Sequence, residues 1–303
     1  MSQNYLKIEN LTKKFDDYTV LDSISSSIEK GSIYGLIGTN GAGKSTLLNC
    51  ISGIYFNDNG FIFTNGEKIE DNVNIKDDIS YISDEPYFFN SFSMKDMAKY
   101  LNKVYPSFSM DKFYEISNLF PLDITKKINT FSKGMKRQAA IVFALSKNPK
   151  LLLCDESFDG LDPVIRQLVK RIIIKEVTER SMTVIVSSHN LAELENFCDV
   201  IGIIHQNKII IEKKIDDIKE NIHKIQLAFK PMIDVSEIKD VDIVKYTTRS
   251  SVMEIVARGK LDDIIPKIEK LNPILIDPID ISLEDIFIYE MEVTGYDASK
   301  VLI

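Results

Sequence analysis

Residues 33–54 read IYGLIGTNGAGKSTLLNCISGI. An apolar run, Ile33–Ile37, meets a glycine-rich turn and then a helical pattern, which predicts a strand, a loop and a helix. Within this stretch Gly38–Ser45 has the spacing G-x-x-x-x-G-K-[ST] of a phosphate-binding loop. Glycines let backbone N–H groups curl around phosphate oxygens, and the helix that follows presents its positive end to them. The stretch therefore predicts an α/β nucleotide-binding architecture.

Two side chains of the loop have different predicted roles, one in phosphate binding and one in metal binding. Lys44 can bridge the outer phosphates, and the Ser45 hydroxyl can hold Mg²⁺. A chance match to this spacing is roughly a one-in-a-hundred event when Gly is about 7% of residues, and the strand-loop-helix context makes it rarer. The candidate nucleotide-binding residues of the loop are Gly38, Asn40, Gly41, Ala42, Gly43, Lys44, Ser45 and Thr46.

Two other predicted strands end in polar residues. LLLCDE, residues 151–156, places Asp155 and Glu156 at a strand end, where phosphoryl transfer needs a Mg²⁺ ligand and a water-activating base. We assign Asp155 to the metal and Glu156 to the water. His189 follows the apolar strand TVIVSS and can donate a hydrogen bond to a γ-phosphate. Taken alone, each has a structural alternative, since strand-to-turn junctions are often acidic and a lone histidine is more often structural.

Composition limits the class of protein. The chain has 303 residues, of which 44% are hydrophobic and 27% charged, so a typical domain size of about 150 residues predicts a globular protein of two domains. Its net charge of −8 disfavours a general nucleic-acid-coating role, which needs a basic surface. Cys50, Cys154 and Cys198 are too dispersed for a zinc cage or a disulfide scaffold, and we interpret them as reduced thiols. We expect no secretory signal and no membrane span.

Alternating strands and helices predict a largely parallel sheet over residues 1–215, with buried central strands at Leu151–Cys154 and Thr183–Val186. We expect a mostly helical insert at about 85–150, because apolar spacing suits helices there. From residue 216 the pattern changes to short strands and a helix, and residues 216–303 carry a net charge of −7. We predict a small, acidic, α+β C-terminal domain. Further predicted elements are helices over about 164–179, 191–198 and 261–271 and a hairpin turn at Gln206 and Asn207.

Read in order, GTNGAGKST, FSKGM (Phe131–Met135), LLLCDE, GLDP (Gly160–Pro163) and His189 resemble the motifs of an ATP-binding cassette (ABC) ATPase. FSKGM is similar to the LSGGQ signature that separates this family from other phosphate-loop proteins. The resemblance covers about residues 4–215 and implies a P-loop fold with a parallel sheet core, an antiparallel β subdomain and a helical subdomain. Within the family the chain is similar to bacterial single-cassette (ABC-2 type) exporter subunits, including a tail, LEDIFIYEMEVTGYD, like their small C-terminal domain.

The resemblance implies further roles. Phe15 stands where the family stacks an aromatic ring on adenine, although a core-filling role is as good an interpretation and Tyr18 is a nearby competitor. Two cassettes would face head to tail, so that Ser132 and Gly134 of one close over the ATP held by the other. Asp162 would connect the two sites.

Two departures from the family pattern stand out. Asp84 occupies the position of a usual glutamine, where its carboxylate can ligate Mg²⁺ and act in catalysis but cannot donate an amide hydrogen bond. In the signature, Lys133 replaces a glycine and Met135 replaces a glutamine. We expect Lys133 to point to solvent, as exposed lysines commonly do.

The resemblance implies an ATPase subunit that uses ATP and Mg²⁺, forms a homodimer or heterodimer, and powers a separately encoded membrane permease, in the export direction. Such a subunit lies in the cytoplasm, on the inner face of the membrane. The alternative is an ABC-type regulatory ATPase acting on ribosomes or nucleic acid, but those usually have two cassettes, a coiled-coil insertion or basic surfaces. A small-molecule kinase or GTPase would leave FSKGM unexplained, and no guanine-reading N-K-x-D motif is present.

Overall fold

The computed structural model describes residues 4–70 and 72–286. Their strands are β1 (Asn4–Phe15), β2 (Tyr18–Glu29), β3 (Ile33–Ile37), β4 (Asn59–Thr64), β5 (Glu67–Lys68), β6 (Ile79–Ile82), β7 (Leu151–Asp155), β8 (Thr183–Ser188), β9 (Val200–His205), β10 (Lys208–Lys214), β11 (Ile222–Ala228), β12 (Asp242–Arg249), β13 (Val252–Arg258) and β14 (Leu275–Ile279). Their helices are α1 (Lys44–Ile51), α2 (Val73–Asp77), α3 (Met94–Val104), α4 (Met110–Ser117), α5 (Lys133–Ser146), α6 (Pro163–Arg180), α7 (Leu191–Leu194), α8 (Ile215–Asn221) and α9 (Leu261–Glu269).

The described residues form two compact units. The first contains the residues up to His189 together with Phe197–Glu212, and the second contains Asn190–Asn196 together with the residues from Lys213 onward.

A six-stranded sheet in the order β10-β9-β3-β8-β7-β6 is the centre of the first unit. Strands β9, β3, β8, β7 and β6 run parallel. Every residue of β3, β7 and β8 is buried, because both faces of these strands are covered, as apolar runs in parallel sheets predict. β9 and β10 are joined by Gln206 and Asn207, both with positive φ, which confirms the predicted hairpin turn.

The long strands β1 and β2 belong to an antiparallel sheet of order β2-β1-β4-β5. One apolar cluster joins this sheet to α1 and the central sheet, and it includes Leu6, Leu21, Leu48 and Leu153. The stretch between β6 and β7 is helical, and serine side chains start its helices: Ser93 forms a capping box on α3, and Ser109 caps α4.

The second unit is built on an antiparallel sheet of order β12-β13-β11-β14. Met253, Ile255 and Ala257 alternate along β13 and are buried with Ile264 and Ile268 of α9. The predicted α/β class, with a parallel core sheet, an antiparallel sheet, a helical segment and a small α+β unit, is confirmed. Of the tail that begins at Leu283, the part beyond Ile286 lies outside the described residues.

One predicted helix is shorter than expected. The helix predicted over 191–198 ends at Leu194, and Phe197 and Cys198 leave helical geometry and are buried. The Phe197 ring packs edge-on against Phe158, with the centroids 5.5 Å apart, so packing on the first unit overrides the local helical pattern. Across the described residues, every helix is too short or too polar to span a bilayer.

Candidate functional site

The loop between β3 and α1 needs its glycines for two physical reasons. Gly41 and Gly43 have φ angles of 82° and 105°, a backbone region that disfavours side chains. A Cβ at Gly38 would lie 2.6 Å from the carbonyl oxygen of Ile204 on the neighbouring strand β9. The loop therefore lies close against the sheet and places successive backbone N–H groups at the start of α1.

Lys44 begins α1 and is buried, with only 4% of its side chain exposed. Its Nζ donates to the carbonyl oxygens of Gly38 at 2.6 Å and Thr39 at 3.2 Å. The same nitrogen lies 3.2 Å from Oε1 of Glu156. The structure thus brings the predicted phosphate-binding cation and the predicted water-activating carboxylate into direct contact.

The other loop positions differ in exposure. Asn40, Gly41 and Ser45 are exposed, whereas Ala42 and Thr46 are half-buried. An exposed hydroxyl at the N-terminal end of α1 is accessible to a cation.

Asp155 ends β7 with its side chain buried. The Tyr81 hydroxyl donates to its Oδ2 at 3.1 Å, and the Ser187 hydroxyl donates to its Oδ1 at 2.7 Å. Burial raises the pKa of the Tyr81 hydroxyl above its usual range, and the neighbouring Asp155 carboxylate raises it further, so this hydroxyl keeps its proton and donates it. Two fixed donors from β6 and β8 therefore orient this carboxylate.

Glu156 turns away from β7 with a left-handed φ of 45°. Its backbone N–H donates to the Ser187 hydroxyl oxygen at 3.0 Å, so one serine holds both members of the carboxylate pair. The Glu156 side chain is 19% exposed and lies between Lys44 and His189. A non-glycine residue with positive φ is uncommon, and such conformations concentrate at functional sites.

His189 follows β8, and its side chain is about half exposed. Its Nδ1 lies 3.6 Å from Oε2 of Glu156 and 3.7 Å from Oδ2 of Asp159. The ligand atoms of these three residues all lie within 4.8 Å of one another, and a histidine nitrogen with two carboxylates is a donor set that divalent metals accept. The structure therefore places His189 beside both Glu156 and Asp159.

The signature stretch lies at the start of α5. Ser132 is the N-cap, and its hydroxyl oxygen accepts from the Met135 N–H at 3.2 Å. A Cβ at Gly134 would lie 3.1 Å from the carbonyl oxygen of Gly160, so this glycine allows α5 to approach the loop after β7. Lys133 is exposed, as expected.

Asp162 and Phe15 form contacts outside this network. Asp162 is the N-cap of α6 and accepts from the N–H groups of Val164 and Ile165. The Phe15 ring packs edge-on against Tyr55, with the centroids 5.5 Å apart, and is 42% exposed. Tyr18, its cross-strand neighbour at the β1–β2 turn, is 64% exposed. Both aromatic candidates therefore remain accessible to a base.

Asp84 lies in the loop after β6 and pairs with Arg137 of α5. The Arg137 Nη2 contacts Oδ1 of Asp84 and donates to its carbonyl oxygen at 2.7 Å. The other terminal nitrogen, Nη1, donates to the carbonyl oxygen of Asp159. The Asp84 carboxylate, expected to serve a metal, is thus held by a guanidinium.

Four of these residues were missed by the sequence analysis. Ser187 carries a signal that could have found it, because it stands two residues before His189 at the same strand end. Arg137 also carries one, as a cation just before the apolar run AAIVFAL. The missed residues are Tyr81, Arg137, Asp159 and Ser187.

A phosphate loop alone occurs in many nucleotide-binding proteins. What narrows the class is the signature stretch FSKGM at the serine-capped N-terminus of α5, within the same unit as the loop. Fold and site together define an ATP-binding cassette ATPase.

Comparisons with known proteins agree with this class. The family model described as ABC transporter matches residues 21–159. The ABC transporter ATP-binding protein YtrB of Bacillus subtilis (strain 168) is 32% identical over 284 residues, which cover 93% of this chain and 97% of the relative. The lantibiotic transport ATP-binding protein SrtF of Streptococcus pyogenes is 36% identical, covering 73% of this chain and 95% of the relative.

A solved ATP-binding subunit of an ABC transporter has a TM-score of 0.65 and 26% identity, and the match covers 71% of this chain and 92% of that structure. A solved cassette in a dimeric post-hydrolysis state with ADP and Pi has a TM-score of 0.62 at 22% identity, covering 69% and 98%. The chain belongs to the ABC transporter family, as an ATP-binding subunit. The class predicted from the residues, an ABC transporter ATPase, is confirmed.

Proposed function

We propose that this chain binds Mg²⁺-ATP in its first unit, hydrolyses it within a dimer of cassettes, and powers a separately encoded membrane permease that acts as an exporter. The observation that carries the proposal is the contact series Lys44–Glu156–His189. It places a lysine ammonium, a carboxylate and an imidazole side by side at the carboxyl ends of parallel strands, where open α/β sheets bind ligands.

Hydrolysis needs a group that orients and deprotonates water beside the terminal phosphate. Glu156 suits this task because its left-handed backbone and the Ser187 hydrogen bond fix its position. Lys44 would exchange its loop carbonyls and Glu156 for phosphate oxygens when the nucleotide binds, which frees the carboxylate for water. His189 would donate a hydrogen bond to the γ-phosphate and hold its position.

Asp155 and Ser45 would hold Mg²⁺. The buried Asp155 carboxylate, fixed by two hydroxyl donors, and the exposed Ser45 hydroxyl are hard oxygen ligands of the kind that Mg²⁺ prefers. Bound there, the ion would neutralise charge on the phosphate oxygens. Asp84 would be a further ligand only after leaving Arg137, so Asp84→Gln should alter Mg²⁺ dependence or turnover, and unchanged values of both would refute its part in the site.

The dimer gives Ser132 and Gly134 their role. The Ser132 hydroxyl accepts a backbone N–H and keeps its own proton for donation to a phosphate oxygen of the partner subunit's nucleotide. Together with the positive end of α5, this makes γ-phosphate the link between two cassettes, so ATP closes the dimer and hydrolysis opens it. Asp162, exposed at the start of α6, would connect the two sites.

The permease partner and the location follow from the same assignment. A transport ATPase acts on a membrane protein, and every described helix of this chain is too short or too polar to span a bilayer. The relatives YtrB and SrtF are named as the ATP-binding proteins of transporters. We place the chain in the cytoplasm, peripheral on the inner face of the membrane. The dimer partner is a second copy or a related cassette.

Glu156→Gln tests the proposal. The variant should bind ATP, lose at least about a hundredfold in turnover, since a positioned base contributes about 10²–10⁴ in rate, and accumulate as an ATP-bound dimer. The measurements are steady-state ATPase rate and mass in solution with and without Mg²⁺-ATP. Glu254→Gln, which removes a carboxylate paired with Lys224 in the second unit, is the matched control and should behave as wild type. Rapid hydrolysis by Glu156→Gln would overturn the assignment.

A further inference from the structure

Arg137 is a nearly inaccessible cation in the first unit. It is 1% exposed, on the second turn of α5. Its two terminal nitrogens bind two different loops: Nη2 contacts the carboxylate and carbonyl of Asp84, and Nη1 donates to the carbonyl of Asp159. Its Nε has no hydrogen-bond partner among the described residues. The guanidinium therefore binds both loops and links the loop after β6 to the loop after β7.

The second of these loops carries the chemistry. Asp159 follows Glu156 by three residues, and its carboxylate faces the Nδ1 of His189 at 3.7 Å. Through the carbonyl of Asp159, Arg137 fixes the backbone of the residue that contacts the imidazole. A displacement of this backbone would change the contacts around both Glu156 and His189.

The Asp84 carboxylate balances the positive charge of the Arg137 guanidinium. A guanidinium taken out of water needs a compensating anion, and losing one member of such a pair leaves an uncompensated buried charge. Asp84 supplies that anion from a half-exposed position. A glutamine, which is usual at this position in the family that the sequence resembles, would offer hydrogen bonds but no charge.

We propose that Arg137 is a positioning residue for ATP hydrolysis, which holds the Glu156–His189 pair through Asp159, and that the Asp84 carboxylate holds Arg137 in place. This inference rests on the proposed ATPase function. It gives the loop after β6 a direct mechanical connection to the hydrolytic residues while Asp84 is paired with Arg137, and metal ligation by Asp84 would break that connection.

The test is a double-mutant cycle in the full chain with Arg137→Gln, Asp84→Asn and both together. Arg137→Gln should lower kcat about tenfold to a hundredfold, because small misplacements of catalytic groups are costly in rate. The KM for ATP should stay within about twofold, since the described contacts of the Lys44 ammonium go to Gly38, Thr39 and Glu156 and not to the arginine. Asp84→Asn should have a smaller effect in the same direction, and the double variant should be no slower than Arg137→Gln alone.

Arg180→Gln is the matched control. Arg180 also bridges a carboxylate and a backbone carbonyl, those of Glu176 and Pro149, at 2.7 Å and 2.9 Å, and none of these residues belongs to the site. It should lose stability with an unchanged kcat. Arg137→Lys, which can restore one contact at a time, should have a kcat between wild type and Arg137→Gln, and it serves as the test variant if the glutamine variant does not fold.

Hydrogen exchange supplies a readout that does not depend on activity. Peptides covering 156–162 should exchange faster in Arg137→Gln and Asp84→Asn than in wild type or Arg180→Gln, while peptides covering α1 should be unchanged. Additive losses in kcat, or unchanged exchange at 156–162, would overturn the inference. A wild-type chain that hydrolyses no ATP would instead overturn the proposed function, and the exchange data would still decide on Arg137.

Discussion

The two units bury different kinds of side chain. In the described residues, every buried polar or charged side chain lies in the first unit, and Lys44, Asp155, Arg137 and Ser187 are among them. Among residues 190–196 and 213–286 of the second unit, the buried side chains are all apolar, including Ile215 on α8 and the β13 and α9 cluster. Both units combine helices with sheets, so the contrast does not come from the type of secondary structure.

Burying a charge is unfavourable unless it is paired and hydrogen-bonded. In the first unit the buried charged groups of Lys44, Asp155 and Arg137 have partners at or just after the carboxyl ends of β3, β6, β7 and β8. The described core of the second unit is held together by apolar packing. The difference indicates that the first unit retains polar burial for binding and chemistry, and the predictions below test that conclusion.

Lys44→Ala should have the largest effect. Removing one member of a buried, hydrogen-bonded charge pair costs about 2–5 kcal/mol in binding, so ATP should bind roughly thirtyfold to several thousandfold more weakly, as measured by calorimetry with Mg²⁺. Lys147→Ala is the matched control, because Lys147 is also buried in the first unit and donates to a backbone carbonyl, that of Ile79, at 2.7 Å. It should lose stability and keep its ATP affinity. Equal ATP affinity of Lys44→Ala and wild type would show that polar burial here serves packing.

Ile255→Ala tests the apolar core of the second unit. Ile255 is completely buried at the centre of the second unit's sheet, and its truncation should lower the free energy of unfolding by about 2–5 kcal/mol. Denaturant unfolding measures this change, and ATP affinity should remain within about twofold. Its cross-strand neighbour Tyr246 is 52% exposed, so Tyr246→Ala should cost far less. A parallel loss of ATP affinity would mean that the second unit supports the nucleotide site.

The sequence predicted those parts of the site that depend on local spacing. Gly38–Ser45 specifies its loop through three glycines and a lysine in one short stretch, and the apolar strands before Glu156 and His189 are long enough to specify a buried sheet. Parallel strands then bring their carboxyl ends to one edge of the sheet by geometry, so Lys44, Glu156 and His189 could be assigned to one phosphate site from the sequence.

Other features depend on contacts between distant segments, which spacing does not encode. The Asp84–Arg137 pair joins residues 53 positions apart, and Ser187 on β8 donates to Asp155 on the neighbouring strand β7, 32 positions earlier. The second unit was predicted only coarsely for a related reason: β12 is largely exposed and its pattern lacks regular apolar alternation, so its place in the sheet is set by pairing with β13. Phe197 ends α7 early because a tertiary contact overrides helix propensity.

Ser187→Ala and Tyr81→Phe should have the smallest effects on kcat. The order of the two effects tests whether the buried hydroxyls of the first unit serve its chemistry. Ser187 donates to Asp155 and accepts from the Glu156 N–H, so its loss leaves a buried donor and acceptor unsatisfied, at a cost of about 1–3 kcal/mol. Tyr81 makes one bond to Asp155, worth about 0.5–1.5 kcal/mol. The serine variant should therefore lose more in kcat than the tyrosine variant.

The matched control for this ranking is Ser146→Ala, since Ser146 is buried in the first unit but donates only to the Val142 carbonyl of its own helix. It should keep the wild-type kcat, because that carbonyl already takes part in the α5 backbone. If all three variants lost kcat equally, buried hydroxyls of the first unit would be contributing general stability. A loss of kcat confined to the Ser187 and Tyr81 variants would show that the hydrogen bonds at the strand ends set the geometry of the Asp155–Glu156 pair. The polar burial of the first unit would then serve its chemistry, in contrast to the apolar packing described for the second unit.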